Sequence, residues 1–509
     1  MAEKKEKRKD PLAPWIERQG MALVTDLYQL TMMAGYVANN MQDRPAAFEY
    51  FFRNLPPHTG FAVFAGLEQA LKGLEGMRFT DSDMEYLEGL GIFGDDALDY
   101  FREFVMDVDM WAMPEGTLVF PNEPIVRVEG KLGPAQLVET FILNCLNYPT
   151  LIATKASRVV NAADGEPVLE FGLRRAHGPD GGLIGARAAY IGGCAGTSNV
   201  LAGKAFGIPV KGTHAHSWVM SHDTELEAFR NYAKAFPESC ILLVDTYDTL
   251  ECGMPNAIEV FKELREKHPD IRAAVRLDSG DLAKLSKGAF KQLREAGFED
   301  PMIVASGDLE EDLIADMKRQ GAKINAWGVG THLITSRDHP SLGGVYKVVG
   351  IKDGDEWDPR LKVASNVEKT TDPGRKQVAR LYNQGGAPIA DVLYMADEEL
   401  PESGEIRAFD RQRFHEDHAF RAHKVESMLK KHMEGGKVIV EHPSLDEIRK
   451  RAEDGISHLA EEMKRLRNPE YYPVVLSPAL SEAKKNLIKA AENKCGLGQA
   501  DVSNKSADQ

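Results

Sequence analysis

Two histidines stand two residues apart in the segment GTHAHSW, His214 and His216. If the strand geometry of the preceding residues persists, both side chains point the same way. One chemistry for such a pair is an HxH metal site like that of barrel amidohydrolases. It calls for further histidines and a carboxylate at later strand ends, and those ends offer Asp245, Asp278 and Asp308 with no histidine except His332. The stronger functional option is histidine as a nucleophile or proton carrier. The plainest reading needs no chemistry, since any one of 14 histidines can simply hydrogen-bond in a loop.

Other reactive types recur nearby. Asp245, Asp248, Asp278, Asp281 and Asp308 are numerous for a bland loop set and suit magnesium with a polyphosphate, or ribose hydroxyls. Arg174, Arg175 and Arg276 supply cations, although an arginine at a strand end also serves to bridge structural carboxylates. The glycine-rich segments GGLIGARAAYIGGCAGTSN (181 to 199), SGD (306 to 308) and GVGT (328 to 331) allow close backbone approach. Helices that begin after such turns present free N–H groups to phosphate oxygens. No GxxxxGK[ST] sequence occurs, so any ATP must bind without a P-loop.

The elements that carry these residues follow a regular pattern. From Pro167 to Thr331 the apolar runs VLEFG, IPVKG, CILLVD, AAVRLD, MIVASG and INAWGVG alternate with amphipathic stretches such as TELEAFRNYAKAF, NAIEVFKELREKH, LAKLSKGAFKQLREAG and LEEDLIADMKRQG. Consecutive apolar residues between amphipathic helices predict a parallel sheet covered by helices. The runs end in EFGLRR, GTHAHS, DTYDT, RLDSGD, SGD and GVGT. A barrel brings all six ends to one mouth, whereas an open doubly wound sheet concentrates them at one switch point. Six enriched ends favour the barrel.

The flanks read differently. In front, Thr25 is placed to cap a helix DLYQLTMMAGYVANN, strands are expected at 46 to 53 and at 117 to 130, the latter broken by Pro121 and Pro124, and a helix at Pro134. After Ser336, GGVYKVVGI, KQVARLYN and APIADVLYM read as antiparallel strands, the last two joined through Gln384, Gly385 and Gly386. Ser444 with Glu447, and Ser477 before Pro478, mark two further helix starts. The expected organisation is a disordered tail (1–15), an N-terminal α+β domain (16–165), an α/β barrel core (166–335), a β-rich segment packing with the N-terminal domain (336–440) and a helical C-terminal appendage (441–509). The stretch beyond Gly496 is expected to be disordered.

A chain of 509 residues has no difficulty burying a full core. Its 62 basic and 78 acidic residues, net −16, exclude a nucleic-acid protein with a broad basic surface; an anionic ligand must be met by local cations. Five cysteines without a CxxC pair indicate neither a disulfide framework nor a thiolate zinc site. No apolar run approaches the ~20 residues that span a bilayer, and the charged start MAEKKEKRKDPLAP has no apolar h-region. A cytoplasmic protein without membrane partners is expected.

Taken together, TDLYQLTM, FEYFFR, EFGLRRAHGPDGG, GTSNVLAGKAFGIPVKGTHAHSW, VDTYDT, RLDSGDL and the SGD and GVGT turns, in this order from about residue 20 to 380, resemble the nicotinate phosphoribosyltransferase family. The resemblance implies an irregular α/β barrel with a flanking α+β domain, usually in a homodimer with shared active sites. It implies formation of nicotinate mononucleotide and diphosphate from nicotinate and 5-phosphoribosyl 1-diphosphate in NAD salvage, with coupled ATP hydrolysis and Mg²⁺. The segment from about 400 to 509 lies outside the resemblance and reads as packing or oligomer contact.

By motif position, the resemblance makes His216 the histidine phosphorylated by ATP. Thr213, Tyr28 and Arg276 would contact nicotinate, Tyr28 from the neighbouring subunit. Thr331 would hold the phosphoribosyl phosphate, with Gly307, Asp308 and Gly330 nearby. Similarity to the related nicotinamide enzyme places Phe171 against the pyridine ring, Arg174 at the phosphate and Asp278 at the ribose. Ser217 follows His216 where glutamate would be expected, so the partner of His216 is left open. Alternatives are a related enzyme for nicotinamide or quinolinate, a metal-dependent barrel hydrolase built on His214 and His216, or a catalytically dead binding protein.

Overall fold

The computed structural model describes residues 20–363, 370–413 and 416–494. The expected disordered stretches, 1–15 and beyond Gly496, lie outside them. The chain divides into two compact units. One comprises Pro149–Ser341 with Leu445–Glu453, and the other holds the described residues up to Tyr148, Leu342–Ser444 and those from Asp454 onward.

The first unit is built on six parallel strands: β1 (Val168–Glu170), β2 (Gly196–Thr197), β3 (Ile241–Leu243), β4 (Ala274–Leu277), β5 (Met302–Ser306) and β6 (Ala326–Val329). Their order is β2-β1-β6-β5-β4-β3. Burial runs along successive residues of β4, β5 and β6, as a sheet covered on both faces requires. Helices Glu225–Ala235, Met254–Lys267, Leu282–Glu295 and Glu311–Arg319 return the chain between strands. Leu282–Glu295 buries Leu282, Ala283, Ser286, Ala289 and Leu293, one face at helical spacing. Three of these helices start on a side-chain cap, from Thr224, Asp281 and Glu310.

One expected strand is missing. IPVKG forms a single parallel bridge, Val210 to Thr197, because Pro209 has no N–H to donate. Gly196–Thr197, not foreseen as a strand, pairs with β1 instead. No strand joins the Val210 segment to β3 among the described residues, so the α/β sheet is a half-barrel with an open edge. Beneath β2, Arg449 donates to the carbonyls of Cys194 (2.7 Å) and Gly193 (3.1 Å) and lies over the Tyr190 ring.

A charge cluster, buried at Lys155 and Glu311 and half exposed at Asp338, braces the turn after β6. Lys155 Nζ lies 2.7 Å from both Glu311 and Asp338, and Arg158 Nε lies 2.9 Å from Glu311.

The second unit holds two larger sheets. The seven-stranded one centres on Pro45–Phe52, paired antiparallel with Gly344–Asp353 and Val126–Lys131. The six-stranded one includes the hairpin Lys376–Tyr382 and Pro388–Met395. Val474–Leu476 is a strand in that sheet, parallel to Pro388–Met395, so the C-terminal stretch contributes more than helices. Leu27–Ala38 is the first described helix, but its N-cap is Asp26 rather than Thr25, whose hydroxyl reaches toward Leu137 O at 3.5 Å. The helix expected from Pro134 begins at Leu132. Arg380 grips Asp391 with two N–H groups at 2.9 and 2.7 Å, and Tyr472 donates to the same carboxylate at 2.9 Å.

Candidate active site

Phe171, Arg174, Arg276, Asp278, Gly307, Asp308, Gly330 and Thr331 lie on or just past the C-terminal ends of β1, β4, β5 and β6, whereas Thr213 and His216 lie in the loop that follows the Val210 bridge. Arg276, on β4, donates to Thr213 Oγ1 (2.5 Å) and to His214 O (3.4 Å), and its Nη2 stands 3.8 Å from Asp278 Oδ1. Its Nε is buried without a hydrogen-bond partner among the described residues. Burial pushes the Arg276 guanidinium pKa down, against the pull of Asp278 and Asp245.

Asp278 sits just past β4. It accepts a hydrogen bond from Ser306 Oγ at 2.5 Å, while its backbone N–H donates to Asp245 Oδ2 at 2.9 Å. Ser279 Oγ donates to the same Asp245 oxygen at 2.6 Å. Gly307, at φ +96°, lets the next strand end come close: a Cβ there would lie 2.3 Å from Asp278 O. The SGD glycine is therefore required on both conformational and steric grounds.

His216 opens the short helix His216–Met220. Its Nδ1 is 3.1 Å from Thr246 Oγ1, and its Nε2 is 3.9 Å from Asp278 Oδ2. Thr246 thus takes the neighbouring place that Ser217 left open. His214 is buried and differently engaged: its Nδ1–H donates to Ala215 O at 3.3 Å, and its Nε2 accepts from Leu243 N–H at 3.2 Å. Burial, reinforced by Arg276, pushes this imidazole down to about 4, so it is neutral at pH 7. With both ring nitrogens occupied, His214 is not available as a metal ligand, which removes the basis of the HxH hydrolase.

Phe171 follows β1, its N–H donating to Val329 O at 2.8 Å. The ring lies against Gly328 of β6, where a Cβ would come within 2.5 Å of it. Gly330 N-caps the one-turn helix Thr331–Ile334. Arg174 and Arg175 are exposed in a 3-10 turn, without an ion-pair partner among the described residues. Arg174 is close enough to Arg276 to be felt electrostatically. Asp308 is exposed after β5. Tyr28 belongs to the other unit and is 47% exposed. A cavity of about 680 Å³ in that unit, with Arg53, His58 and Tyr472 in its lining, contains none of the predicted site residues.

Thr246, Ser306 and Gly328 were not singled out as site residues by sequence. All three lie inside the segments DTYDT, SGD and GVGT, but which of them faces a neighbour's reactive group depends on pairing across strands.

Fold and mouth together define an α/β half-barrel protein whose strand ends gather cations, carboxylates and glycine turns for an anionic substrate. Comparison with known proteins narrows this. Residues 23–147 match the nicotinate phosphoribosyltransferase N-terminal domain, 167–380 the nicotinate phosphoribosyltransferase family and 375–484 its C-terminal domain. A nicotinate phosphoribosyltransferase of Bacillus subtilis (strain 168) is 47% identical over 470 residues, covering 90% of this chain and 93% of that one. The human nicotinate phosphoribosyltransferase is 36% identical over 518 residues, covering 90% and 95%. The crystal structure of human nicotinic acid phosphoribosyltransferase superposes with a TM-score of 0.80 at 33% identity, covering 91% of this chain and 99% of that one. The chain belongs to the nicotinate phosphoribosyltransferase family, and the enzyme class expected from its sequence stands on that membership. The C-terminal match extends the family into the segment that the motifs had left outside.

Proposed function

We propose that this chain joins nicotinate to the ribose of 5-phosphoribosyl 1-diphosphate, releasing diphosphate, with ATP hydrolysis coupled through phosphorylation of His216. The single observation that most supports this reading is the grouping of Arg276, Thr213, His216 and Asp278 at the mouth of one half-barrel. Arg276 offers nicotinate's carboxylate a planar, charged pair of donors. Phe171, backed by Gly328, is the platform for the ring, and Arg174 with the Gly307 and Gly330–Thr331 turns receives the phosphate.

In the transfer, the pyridine nitrogen forms its bond to ribose C1 as the C1–oxygen bond breaks, and the diphosphate leaves with the electron pair. Positive charge grows on the sugar, where the Asp278 carboxylate favours it. His216 Nε2, the ring nitrogen not held by Thr246, accepts a phosphoryl group from ATP, and water later releases it as phosphate. The phosphohistidine adds ~−2 of charge and strong acceptor oxygens beside the leaving group's site. Bound magnesium would neutralise the diphosphate; Asp245, whose Oδ1 is buried without a partner among the described residues, Asp278 and Asp308 are the carboxylates suited to hold it.

The working form in this reading is a cytoplasmic homodimer in which the partner subunit's Tyr28 completes the nicotinate site. No helix of the described residues is long and apolar enough to cross a membrane. The test is to supply nicotinate, phosphoribosyl diphosphate, ATP and Mg²⁺ and follow both nucleotide and ADP. One nucleotide per ADP is expected. Preferential turnover of nicotinamide or quinolinate, or no nucleotide from any of the three pyridines, would overturn the proposal.

A further inference from the structure

We propose that His214 is a positioning residue: its imidazole takes the place of strand pairing at the open edge of the half-barrel and so holds Thr213 and Arg276 in register for an aromatic carboxylate. The inference rests on the reading that nicotinate is gripped at Arg276.

The geometry forms a closed circuit. Among the described residues, strand β3 is paired only on its β4 side, where Leu243 is the register partner of Arg276. On its other side the Leu243 N–H meets no strand among those residues, and donates to His214 Nε2 at 3.2 Å. The circuit closes from the other direction when the Arg276 side chain donates to Thr213 Oγ1 and to His214 O. One ring therefore ties the loop 213–216 to the backbone directly beside Arg276.

The ring is suited to that task. Its Nδ1–H is committed to Ala215 O, which leaves the Nε2 lone pair free to accept. Tyr232 packs edge-on at 4.6 Å, fixing the ring's tilt. The titratable and charged groups facing it are Arg276, His216 and Tyr232. A buried backbone N–H without an acceptor is costly, so losing Nε2 would drive β3 or the 213–216 loop to move.

The test compares two variants of the full chain. His214→Phe keeps an aromatic ring against Tyr232 and removes the acceptor; His214→Gln keeps an acceptor at similar reach. His214→Phe is expected to raise KM for nicotinate by about tenfold, as loss of one buried hydrogen bond would, with KM for phosphoribosyl diphosphate unchanged. His214→Gln is expected to restore the nicotinate KM to near the wild-type value. The inference is overturned if His214→Phe leaves nicotinate KM unchanged, if both KM values rise together, or if folded His214→Gln is as impaired as the phenylalanine variant. A wild-type protein inert with all three pyridines would instead overturn the functional reading and this inference with it.

Discussion

The Nδ1 atom of His216 lies 3.1 Å from the hydroxyl oxygen of Thr246, while its Nε2 stands 3.9 Å from Asp278. The two ring nitrogens are thereby distinguished, one oriented by a neutral hydroxyl and one open to the mouth. His216→Ala is expected to abolish ATP hydrolysis and ATP stimulation while retaining some uncoupled transfer. Thr246→Val should lower ADP formation by only about 3- to 10-fold, the effect of one neutral hydrogen bond. Parallel assays of ADP and nucleotide check both, and full ATP stimulation in His216→Ala would remove the histidine from its role.

Gly328 lies under Phe171. A methyl group there would meet the ring at 2.5 Å and Ser306 Cβ at 3.2 Å, so Gly328→Ala must displace the ring. Overpacking of this kind costs about 1 to 3 kcal/mol. The expected result is a modest fall in Tm with a rise of about tenfold or more in nicotinate KM. A fall in Tm with unaltered nicotinate KM would show that Phe171 is not the pyridine platform.

Lys155 is shared between Glu311 and Asp338, at 5% side-chain exposure against 2% for Glu311. Burial pushes Glu311 up, but Lys155 and Arg158 outweigh it and hold the carboxyl below its usual range; Asp338 is held low by Lys155 in the same way. Carboxylates with depressed folded pKa values contribute stability above their unfolded pKa, near 4, which disappears as pH falls through the folded value. Lys155→Met should destabilise the protein by about 3 to 5 kcal/mol at pH 7 and weaken its acid sensitivity below about pH 4. Denaturant melts at several pH values measure both, and parallel curves for wild type and variant would contradict the coupling.

Glu123 carries the opposite sign. It is fully buried, and burial together with the charge of Asp391 pushes its carboxyl well up, with Arg380 committed chiefly to Asp391. A carboxyl whose folded pKa is raised makes folding progressively costlier as pH climbs above the unfolded value. Glu123→Gln, which cannot ionise and retains an acceptor for Phe120 N–H, should therefore raise Tm more at pH 8 than at pH 5. An equal shift at the two pH values would count against this account.

Much of this was legible in the chain itself. Period and composition located five of the six strands, because consecutive buried apolar residues between amphipathic helices leave a local trace. Motif order from TDLYQLTM to GVGT pointed to the family that residues 23–147 and 167–484 match. The exceptions are informative. IPVKG has the apolar content of a strand but Pro209 within it, and Gly196–Thr197 is too short and too poor in side chains to be seen before its partner Glu170 is known. Thr25 was expected to cap the first helix, and the backbone places Asp26 at that position instead.

By itself, then, the sequence determined the α/β alternation, the chemistry gathered at strand ends and the family. Only the tertiary structure decided that the sheet stops at a half-barrel, that His214 is spent on Leu243 while His216 keeps a free nitrogen, and that Thr246 stands beside it. The physical reason is range. Helix and strand patterns record which face of a short segment is buried, whereas a hydrogen bond between residues some 30 positions apart exists only once two strands have taken their register, and an HxH spacing reads the same in either case.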